Sequence, residues 1–204
     1  MQLYGYWRSG NTRKVRLCLA ELGVDYDWVD VDLAAGEQRS PDYLRLNPNG
    51  VVPTLVDESG VLWESSAILL YLAEKYPHAG LMPATLSGRA RAYKWLVWQP
   101  ATFNPPRQRL VAALSKPKDE QDGPAIAVLQ GIIAHNLQTL AEALGSNDYL
   151  IDHYTLADLV MLPHLVALRE AGFALPGTVS RYLDRLTARP AWQATQNAPS
   201  SRGL

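Results

Sequence analysis

The sequence predicts an α/β unit followed by an all-helical unit. Within the first 77 residues, short β-prone runs and helical periodicity alternate in the order strand, helix, strand, then strand, strand, helix. The later segments all have helical periodicity. Prolines, glycine and few large apolar residues separate the two parts, which is typical of a linker. We therefore predict domains of residues 1–77 and 87–204, joined by residues 78–86.

The first strand, helix and strand form one predicted crossover unit. Residues 3–6 are β-prone, and apolar residues recur at helical spacing over residues 15–22 before Gly23, a typical helix C-terminus. Residues 28–33 alternate apolar and polar side chains, which indicates a second strand. Because a strand-helix-strand unit of this length needs a crossover, the two strands are predicted to pair in parallel.

The second half of the α/β unit is predicted to be a hairpin and a helix. A one-turn helix over residues 40–44 precedes it, with Pro41 at the first helical position. Residues 54–56 and 61–63 are predicted strands, because the residues between them have the composition of a turn. The next helix, over residues 65–76, is expected to end before Pro77.

The helical part begins with a predicted helix over residues 87–101 and a break. Asn104 then suits the cap of a restarted helix, with Pro105 at its first position. A long amphipathic helix is expected over residues 122–144, ending at Gly145.

The last helices are predicted from capping signals and proline. Thr155 suits an N-cap with the acidic Asp158 three residues later, a relative of the capping box. Two short helices, over residues 180–189 and from residue 191 onward, are separated by Pro190.

Length and composition restrict the class of protein. A chain of 204 residues with 48% hydrophobic content can bury a sizeable core. A net charge of −1, without a run of basic residues, argues against a nucleic-acid partner. Because no apolar run is long enough to span a bilayer and the start lacks signal-peptide character, we expect a cytoplasmic protein with no membrane partner.

The cysteine and histidine content indicates neither a disulfide nor a metal. Cys18 is the single cysteine, which excludes an intrachain disulfide and a paired redox motif. It lies on an apolar helix face, so we interpret it as a buried structural residue. No metal is predicted, because metal-ligand spacing is absent among the four histidines His78, His135, His153 and His164.

The most informative stretch is Asn47-Pro48-Asn49-Gly50-Val51-Val52-Pro53-Thr54-Leu55, followed by Glu64-Ser65. Pro53 stands at the head of a predicted strand, and an X-Pro bond is the one bond where cis costs little. A cis bond there would turn the Val52 amide and carbonyl outward, where they can pair with an extended peptide. The pair Glu64-Ser65 starts the next helix, whose N-terminus favours an anionic ligand group, while Glu64 can accept from a cationic one.

Together with Tyr71-Leu72, these motifs resemble the glutathione-binding half of the soluble glutathione transferases, and the resemblance covers essentially the whole chain. It implies a thioredoxin-like N-terminal domain, an all-helical C-terminal domain, a homodimer and glutathione as co-substrate. By the same resemblance, Val52, beside the cis residue Pro53, pairs with the cysteinyl part of glutathione. Glu64 and Ser65 then hold the γ-glutamyl end.

Ser9 is the predicted thiol-activating residue. Capping preference alone indicates that Ser9 or Asn11 caps the first helix, whereas the resemblance implies a serine here that stabilises the thiolate. Lowering a thiol pKa of about 8.5 by about two units takes roughly 2.7 kcal/mol. A hydrogen bond to a charged group contributes about 1.5–3 kcal/mol, and a helix N-terminus adds several tenths to one more. Asn11 and Thr12 remain alternatives for this role.

The remaining site residues follow from the resemblance. Gln38 lies in the loop that holds the glycine carboxylate in the family, although it also suits a solvated loop residue. The acceptor pocket is expected between the domains. Its candidates come from the first loop and the first long helix of the second domain, although aromatics at helical spacing are often core: Trp7, Arg8, Trp98, Phe103 and Arg107.

The leading hypothesis is a glutathione transferase, in which the thiolate of glutathione attacks a small electrophile. A maleylacetoacetate isomerase of the zeta class is an alternative, because the first loop also reads aromatic-Arg-Ser. That class has Ser-Cys where this chain has Gly10-Asn11, and its carboxylate-binding arginine falls on Glu170, with Arg169 one place off. Disulfide reduction and a non-catalytic binding module are further alternatives.

Overall fold

The computed structural model describes residues 1–199, and contacts divide it into two compact units. The first contains Met1–Leu81 and residues 189–199, and the second is Met82–Ala188. The strands are β1 (Gln2–Gly5), β2 (Asp27–Asp30), β3 (Thr54–Asp57) and β4 (Gly60–Trp63). The helices are α1 (Gly10–Leu22), α2 (Pro41–Leu46), α3 (Ser65–Lys75), α4 (Leu86–Trp98), α5 (Asn104–Leu114), α6 (Gly123–Leu144), α7 (Leu156–Glu170), α8 (Gly177–Thr187) and α9 (Pro190–Gln193).

The first unit has the predicted thioredoxin-like order of strands and helices. Its sheet has the order β2-β1-β3-β4, with β1 and β2 parallel and the other neighbours antiparallel. The predicted crossover and hairpin are therefore confirmed. β2 ends at Asp30, earlier than predicted, because the loop that follows is held by side chains. Asp32 Oδ1 accepts from the amides of Ala34 and Ala35, and Glu37 Oε2 accepts from the Asp32 amide.

Helix α1 packs on β1 because Gly5 has no side chain. A Cβ atom at Gly5 would lie 2.4 Å from Thr12 Cγ2, so only glycine permits this approach. The inner face of α1 includes Cys18, which has no solvent exposure. Burial raises the pKa of the Cys18 thiol far above its usual range. The interpretation of Cys18 as a buried structural residue is therefore confirmed.

Residues 189–199 pack with the first unit, whereas the sequence placed them with the helical domain. Arg189 forms an ion pair with Glu21, and the Arg13 guanidinium lies 4.2 Å from the centre of the Trp192 ring. Arg16 donates to the carbonyls of Thr195 and Asn197. These contacts join residues far apart in sequence, which local patterns do not reveal. Residues 200–204 lie outside the described residues.

Where the sequence predicted a break before Asn104, the helix continues through a π-helical turn, Gln99–Phe103. Asn104 has helical backbone angles and donates its amide to the Gln99 carbonyl five residues back, so the prediction that Asn104 caps a new helix is wrong. Its side chain instead accepts from Arg107. Pro106 has no N–H for the Thr102 carbonyl, which accepts from Asn136 Nδ2 of α6 at 3.4 Å. The widened turn therefore accommodates the prolines without ending the helix.

The core of the second unit is organised around the start of α7. The predicted capping box is confirmed: Thr155 Oγ1 accepts from the Ala157 amide, and Asp158 Oδ2 accepts from the Thr155 amide at 2.9 Å. Asp158 Oδ1 also accepts from the Leu150 amide and from the Tyr182 hydroxyl of α8. Burial raises the pKa of Asp158, and these hydrogen bonds oppose the rise. One buried carboxylate thus joins two helices and the preceding loop.

The remaining differences concern boundaries. α8 begins at Gly177, before the predicted Ser180, and directly follows Pro176. Among the described residues, no helix is both long and apolar enough to cross a membrane.

We predict that Asp158→Ala lowers the free energy of unfolding by about 3–5 kcal/mol, because it leaves buried donors of Leu150, Thr155 and Tyr182 unpaired. Thr155→Ala removes only the cap and should cost about 1 kcal/mol. Urea unfolding followed by circular dichroism measures both. An equal or smaller loss for Asp158→Ala would contradict the central role of this carboxylate.

Candidate functional site

Three loops meet at one edge of the sheet. Tyr4 pairs with Thr54, and Thr54 pairs with Trp63, so the end of β1, the start of β3 and the end of β4 lie side by side. The segments that continue from this edge carry Ser9, Val52 and Ser65. The register of the strands therefore brings three predicted site residues, which are distant in sequence, to the same edge of the sheet.

Ser9 caps α1 and keeps a free hydroxyl hydrogen. Its Oγ accepts from the Thr12 amide at 3.4 Å, and its own amide donates to the Tyr6 carbonyl. No described residue accepts a hydrogen bond from the Ser9 hydroxyl. The side chain is half-buried, so this hydrogen remains available to an anion at the helix N-terminus.

The two alternatives to Ser9 have different environments. Asn11 is half-buried in the first turn of α1. Thr12 is completely buried and packs against Gly5, and its hydroxyl is enclosed without a hydrogen-bond partner among the described residues. This burial removes Thr12 from direct contact with a ligand, contrary to the alternative considered from sequence.

The loop before β3 is held by two buried side chains. Asn47 Nδ2 and the Tyr43 hydroxyl both donate to the Val51 carbonyl at 2.8 Å. Burial raises the pKa of Tyr43, which keeps its hydroxyl protonated as a donor. The Tyr43 hydroxyl also lies 2.9 Å from Thr54 Oγ1. The Asn47 and Tyr43 side chains thus fix the position of the loop.

Val52 has main-chain groups available for a ligand. The peptide bond between Val52 and Pro53 is cis, and both residues are buried. The Val52 amide and carbonyl form no hydrogen bond with another residue in the described part of the chain. Since buried main-chain groups normally have partners, these two groups suit an extended peptide.

Glu64 and Ser65 stand at the start of α3, as predicted. Ser65 is the first helical residue and is 7% exposed, whereas Glu64 is exposed. Among residues 1–199, Glu64 is the only non-glycine residue with positive φ, at 70°. Such a conformation is unfavourable for a side chain with Cβ and is typical of functional positions. The exposed Glu64 carboxylate therefore stands at the N-terminus of α3.

Gln38 lies in a one-turn 3₁₀ helix, Glu37–Arg39, that packs against the same loop. A Cβ atom at Gly50 would lie 3.2 Å from the Gln38 carbonyl, and Gly50 has a positive φ of 60°. Glycine therefore allows the turn to approach the loop. Gln38 itself is half-buried, and its Oε1 is enclosed with no partner in the described part of the chain.

The first loop and the helical unit hold the other predicted pocket residues. The Arg8 guanidinium lies 4.7 Å from the centre of the half-buried Trp7 ring. Trp98 is half-buried and stacks on Phe103 with ring centres 5.5 Å apart. Phe103 has no exposure, so it is a core residue rather than part of a pocket. Arg107 is half-buried, and burial lowers the pKa of its guanidinium to about 10.

Sequence reasoning did not identify Tyr43 as a residue that positions the loop. No local sequence pattern indicates this role, because the Val51 carbonyl that accepts from the Tyr43 hydroxyl lies outside the short helix that contains Tyr43. For metals, residues 1–199 contain no cluster of three histidine, cysteine, aspartate or glutamate side chains arranged as ligands.

Comparison with known proteins identifies the class. Residues 1–74 match the model of the glutathione S-transferase N-terminal domain. Glutathione S-transferase 3 of Zea mays is 37% identical over 96% of this chain and 92% of its own. The maleylacetoacetate isomerase of Pseudomonas aeruginosa is 32% identical over 97% and 96% of the two chains.

A solved structure agrees over almost the whole chain. The theta class glutathione S-transferase of Xanthomonas axonopodis pv. citri, with glutathione bound, superposes with a TM-score of 0.89 at 33% identity and covers 97% of each chain. This protein therefore belongs to the glutathione S-transferase family. Its fold is that of the family, with a thioredoxin-like domain followed by a helical region.

Proposed function

We propose that this protein is a glutathione transferase, which activates the thiol of glutathione for attack on an electrophilic small molecule. The observation that carries the proposal is the strand register that brings the Ser9, Val52 and Ser65 segments to one sheet edge. Relatives named glutathione S-transferases support the same activity.

Glutathione fits these groups by its chemistry. The free amide and carbonyl of Val52, beside Pro53, pair with the main chain of the cysteinyl residue. The amides at the start of α3 and the Ser65 hydroxyl bind the γ-glutamyl carboxylate, and Glu64 accepts from the γ-glutamyl ammonium. Gln38 lies on the turn that packs on this loop, and we assign it to the glycine end.

In the reaction, Ser9 donates a hydrogen bond to the glutathione thiolate. Its free hydroxyl hydrogen bonds to the sulfur and stabilises the negative charge, and Asn11 in the same helical turn is the alternative donor. The sulfur then forms a bond to the electrophilic carbon, and the leaving group departs with its electron pair. The thiol proton passes to solvent.

The domain roles follow from this assignment. The first unit, which includes the predicted domain of residues 1–77, binds glutathione. Residues 87–188 of the predicted helical domain contribute contacts to the electrophile. The candidates are Trp98 and Arg107, with Trp7 and Arg8 from the first loop. Phe103 supports Trp98 from the core. A cytoplasmic location remains a prediction from the sequence.

Isomerisation of maleylacetoacetate is the second candidate function, because a relative with that name covers nearly the whole chain. Arg169, the arginine nearest the expected carboxylate-binding position, instead pairs with Asp184 at 2.6 Å. Reduction of disulfides is a further alternative. Because Cys18 is buried, glutathione would supply the reacting thiol. A non-catalytic module would have no need of the peptide site, so titration calorimetry with glutathione separates it from the enzymes.

We predict that Ser65→Ala weakens glutathione binding by about 1–3 kcal/mol, because a hydroxyl partner of a charged group is lost. Calorimetry measures the change. Ser59→Ala is the matched control, since Ser59 lies at the other end of the β3–β4 hairpin and should bind glutathione normally. Unchanged affinity of Ser65→Ala would remove Ser65 from the site.

We predict that Ser9→Ala raises the apparent pKa of the bound glutathione thiol by about one to two units. Each pKa unit corresponds to about 1.4 kcal/mol of lost thiolate stabilisation. Turnover at neutral pH should fall roughly ten- to a hundredfold, while glutathione affinity at high pH changes little. Ultraviolet titration of the bound thiolate measures the pKa. If Asn11→Ala shifts the pKa more than Ser9→Ala does, Asn11 is the activating residue instead.

We further propose a homodimer, supported by exposed apolar side chains on two helices of the helical unit. Leu86 and Val97 on α4 are 84% and 64% exposed, and Val128 and Ile132 lie one turn apart on α6. Large apolar side chains exposed on helix surfaces are often covered by a partner subunit. Sedimentation velocity should give twice the chain mass of 22.6 kDa at micromolar concentration. A monomer would contradict the proposal.

A further inference from the structure

The region around Arg107 has an unusual excess of positive charge. Residues 76–118 contain seven lysines and arginines but no aspartate or glutamate. Some of these cations have partners elsewhere: Arg91 pairs with Asp152, and Arg89 donates to the Pro83 carbonyl. Arg109 is exposed to solvent. Arg107 is the half-buried cation of α5.

Arg107 has no carboxylate partner among the described residues. The elements that pack on α5 are the π-helical turn, α6 and α7. The turn carries no charge, and α6 carries His135 and Glu142. α7 carries Asp158, His164, Arg169 and Glu170.

None of the three carboxylates on these helices neutralises Arg107. Asp158 is occupied by the donors of the capping box, and Glu142 accepts from Gln138. Glu170 is exposed at the last residue of α7. Burial without neutralisation is also why the pKa of Arg107 falls to about 10, so the guanidinium is still charged at neutral pH. Because Arg107 is only partly buried, an anionic ligand group can reach this unneutralised charge and pair with it.

The hydrogen bonds of Arg107 leave one edge of the guanidinium open. Asn104 Oδ1 accepts from Nε at 3.1 Å and from Nη2 at 2.8 Å. Both hydrogens on Nη1 and the second hydrogen on Nη2 have no acceptor among the described residues. The edge formed by Nη1 and Nη2 has the geometry that binds a carboxylate through two parallel hydrogen bonds. Asn104 thus positions the plane of the guanidinium.

Aromatic side chains lie close along the same helix. Phe103 is one helical turn before Arg107, and Trp98 stacks on Phe103 while remaining partly exposed. A ligand that places an apolar ring near Trp98 and an anionic group on Arg107 would match both features.

We propose that Arg107 selects electrophiles that carry a carboxylate, which it binds through Nη1 and Nη2 while Asn104 holds the guanidinium in place. This inference rests on the proposed transferase function and specifies the substrate class. Arg107 binds the carboxylate in the ground state and transition state alike, so its effect falls mainly on KM.

The test compares 4-chloro-3-nitrobenzoate with its methyl ester in the full chain with glutathione. In both, the sulfur bonds to the ring carbon, the carbon–chlorine bond breaks, chloride leaves with the electron pair, and the thiol proton enters solvent. The readout is the ratio of kcat/KM for the acid to kcat/KM for the ester. Differences in intrinsic reactivity cancel when variants are compared with the native protein by this ratio.

Arg107→Gln should lower the acid-to-ester ratio about ten- to a hundredfold, mainly through KM for the acid, as expected for loss of a charge-assisted pair. Arg107→Lys should lower it less, because the charge remains but the paired geometry is lost. Arg109→Gln is the matched control: it removes the same charge from the same helix and should leave the ratio unchanged.

An unchanged ratio in Arg107→Gln, or an equal fall in Arg109→Gln, overturns the inference. If the native protein conjugates the ester but not the acid, the inference fails while the transferase function stands. If it conjugates neither substrate, the proposed function fails and the inference fails with it. Activity toward the ester in Arg107→Gln also establishes that the variant is folded.

Discussion

The antiparallel pairing of β1 with β3 is the constraint on which the site depends. Tyr4 opposite Thr54, and Thr54 opposite Trp63, bring three chain turns to one edge. A shift of this register by one residue would exchange the buried and exposed faces of a strand, so the core enforces it. Leu3 and Leu55, which face each other in this register, are almost completely buried. Core packing thereby sets the geometry of the proposed glutathione site.

The buried and half-buried polar groups of this protein are of two kinds. Asn47 and Asp158 are fully or almost fully buried, and each is surrounded by donors or acceptors of its own unit. Such groups hold loops in place, since leaving them unpaired would be costly. The Val52 main chain and the open edge of Arg107 lack protein partners in the described part of the chain. These two are the unpaired groups that we propose for ligand binding.

Ser9 combines a structural role with the proposed catalytic one. As a helix cap it accepts a hydrogen bond through a lone pair, whereas thiolate stabilisation needs its hydroxyl hydrogen. The two interpretations of Ser9 that compete at the level of sequence are therefore compatible in the structure. The same helix N-terminus that needs a cap also favours the negative charge of a thiolate.

The sequence by itself determined the order and type of the elements and the positions of Ser9 and Ser65 at helix starts, because periodicity and capping are local properties. It also predicted the Thr155 capping box and the burial of Cys18. Tertiary structure decided which candidates are accessible: Thr12 and Phe103 are completely buried. It also placed α9 on α1 and left Arg107 without a counter-charge among residues 1–199. These outcomes depend on neighbours far away in sequence, whose positions only the packed chain defines.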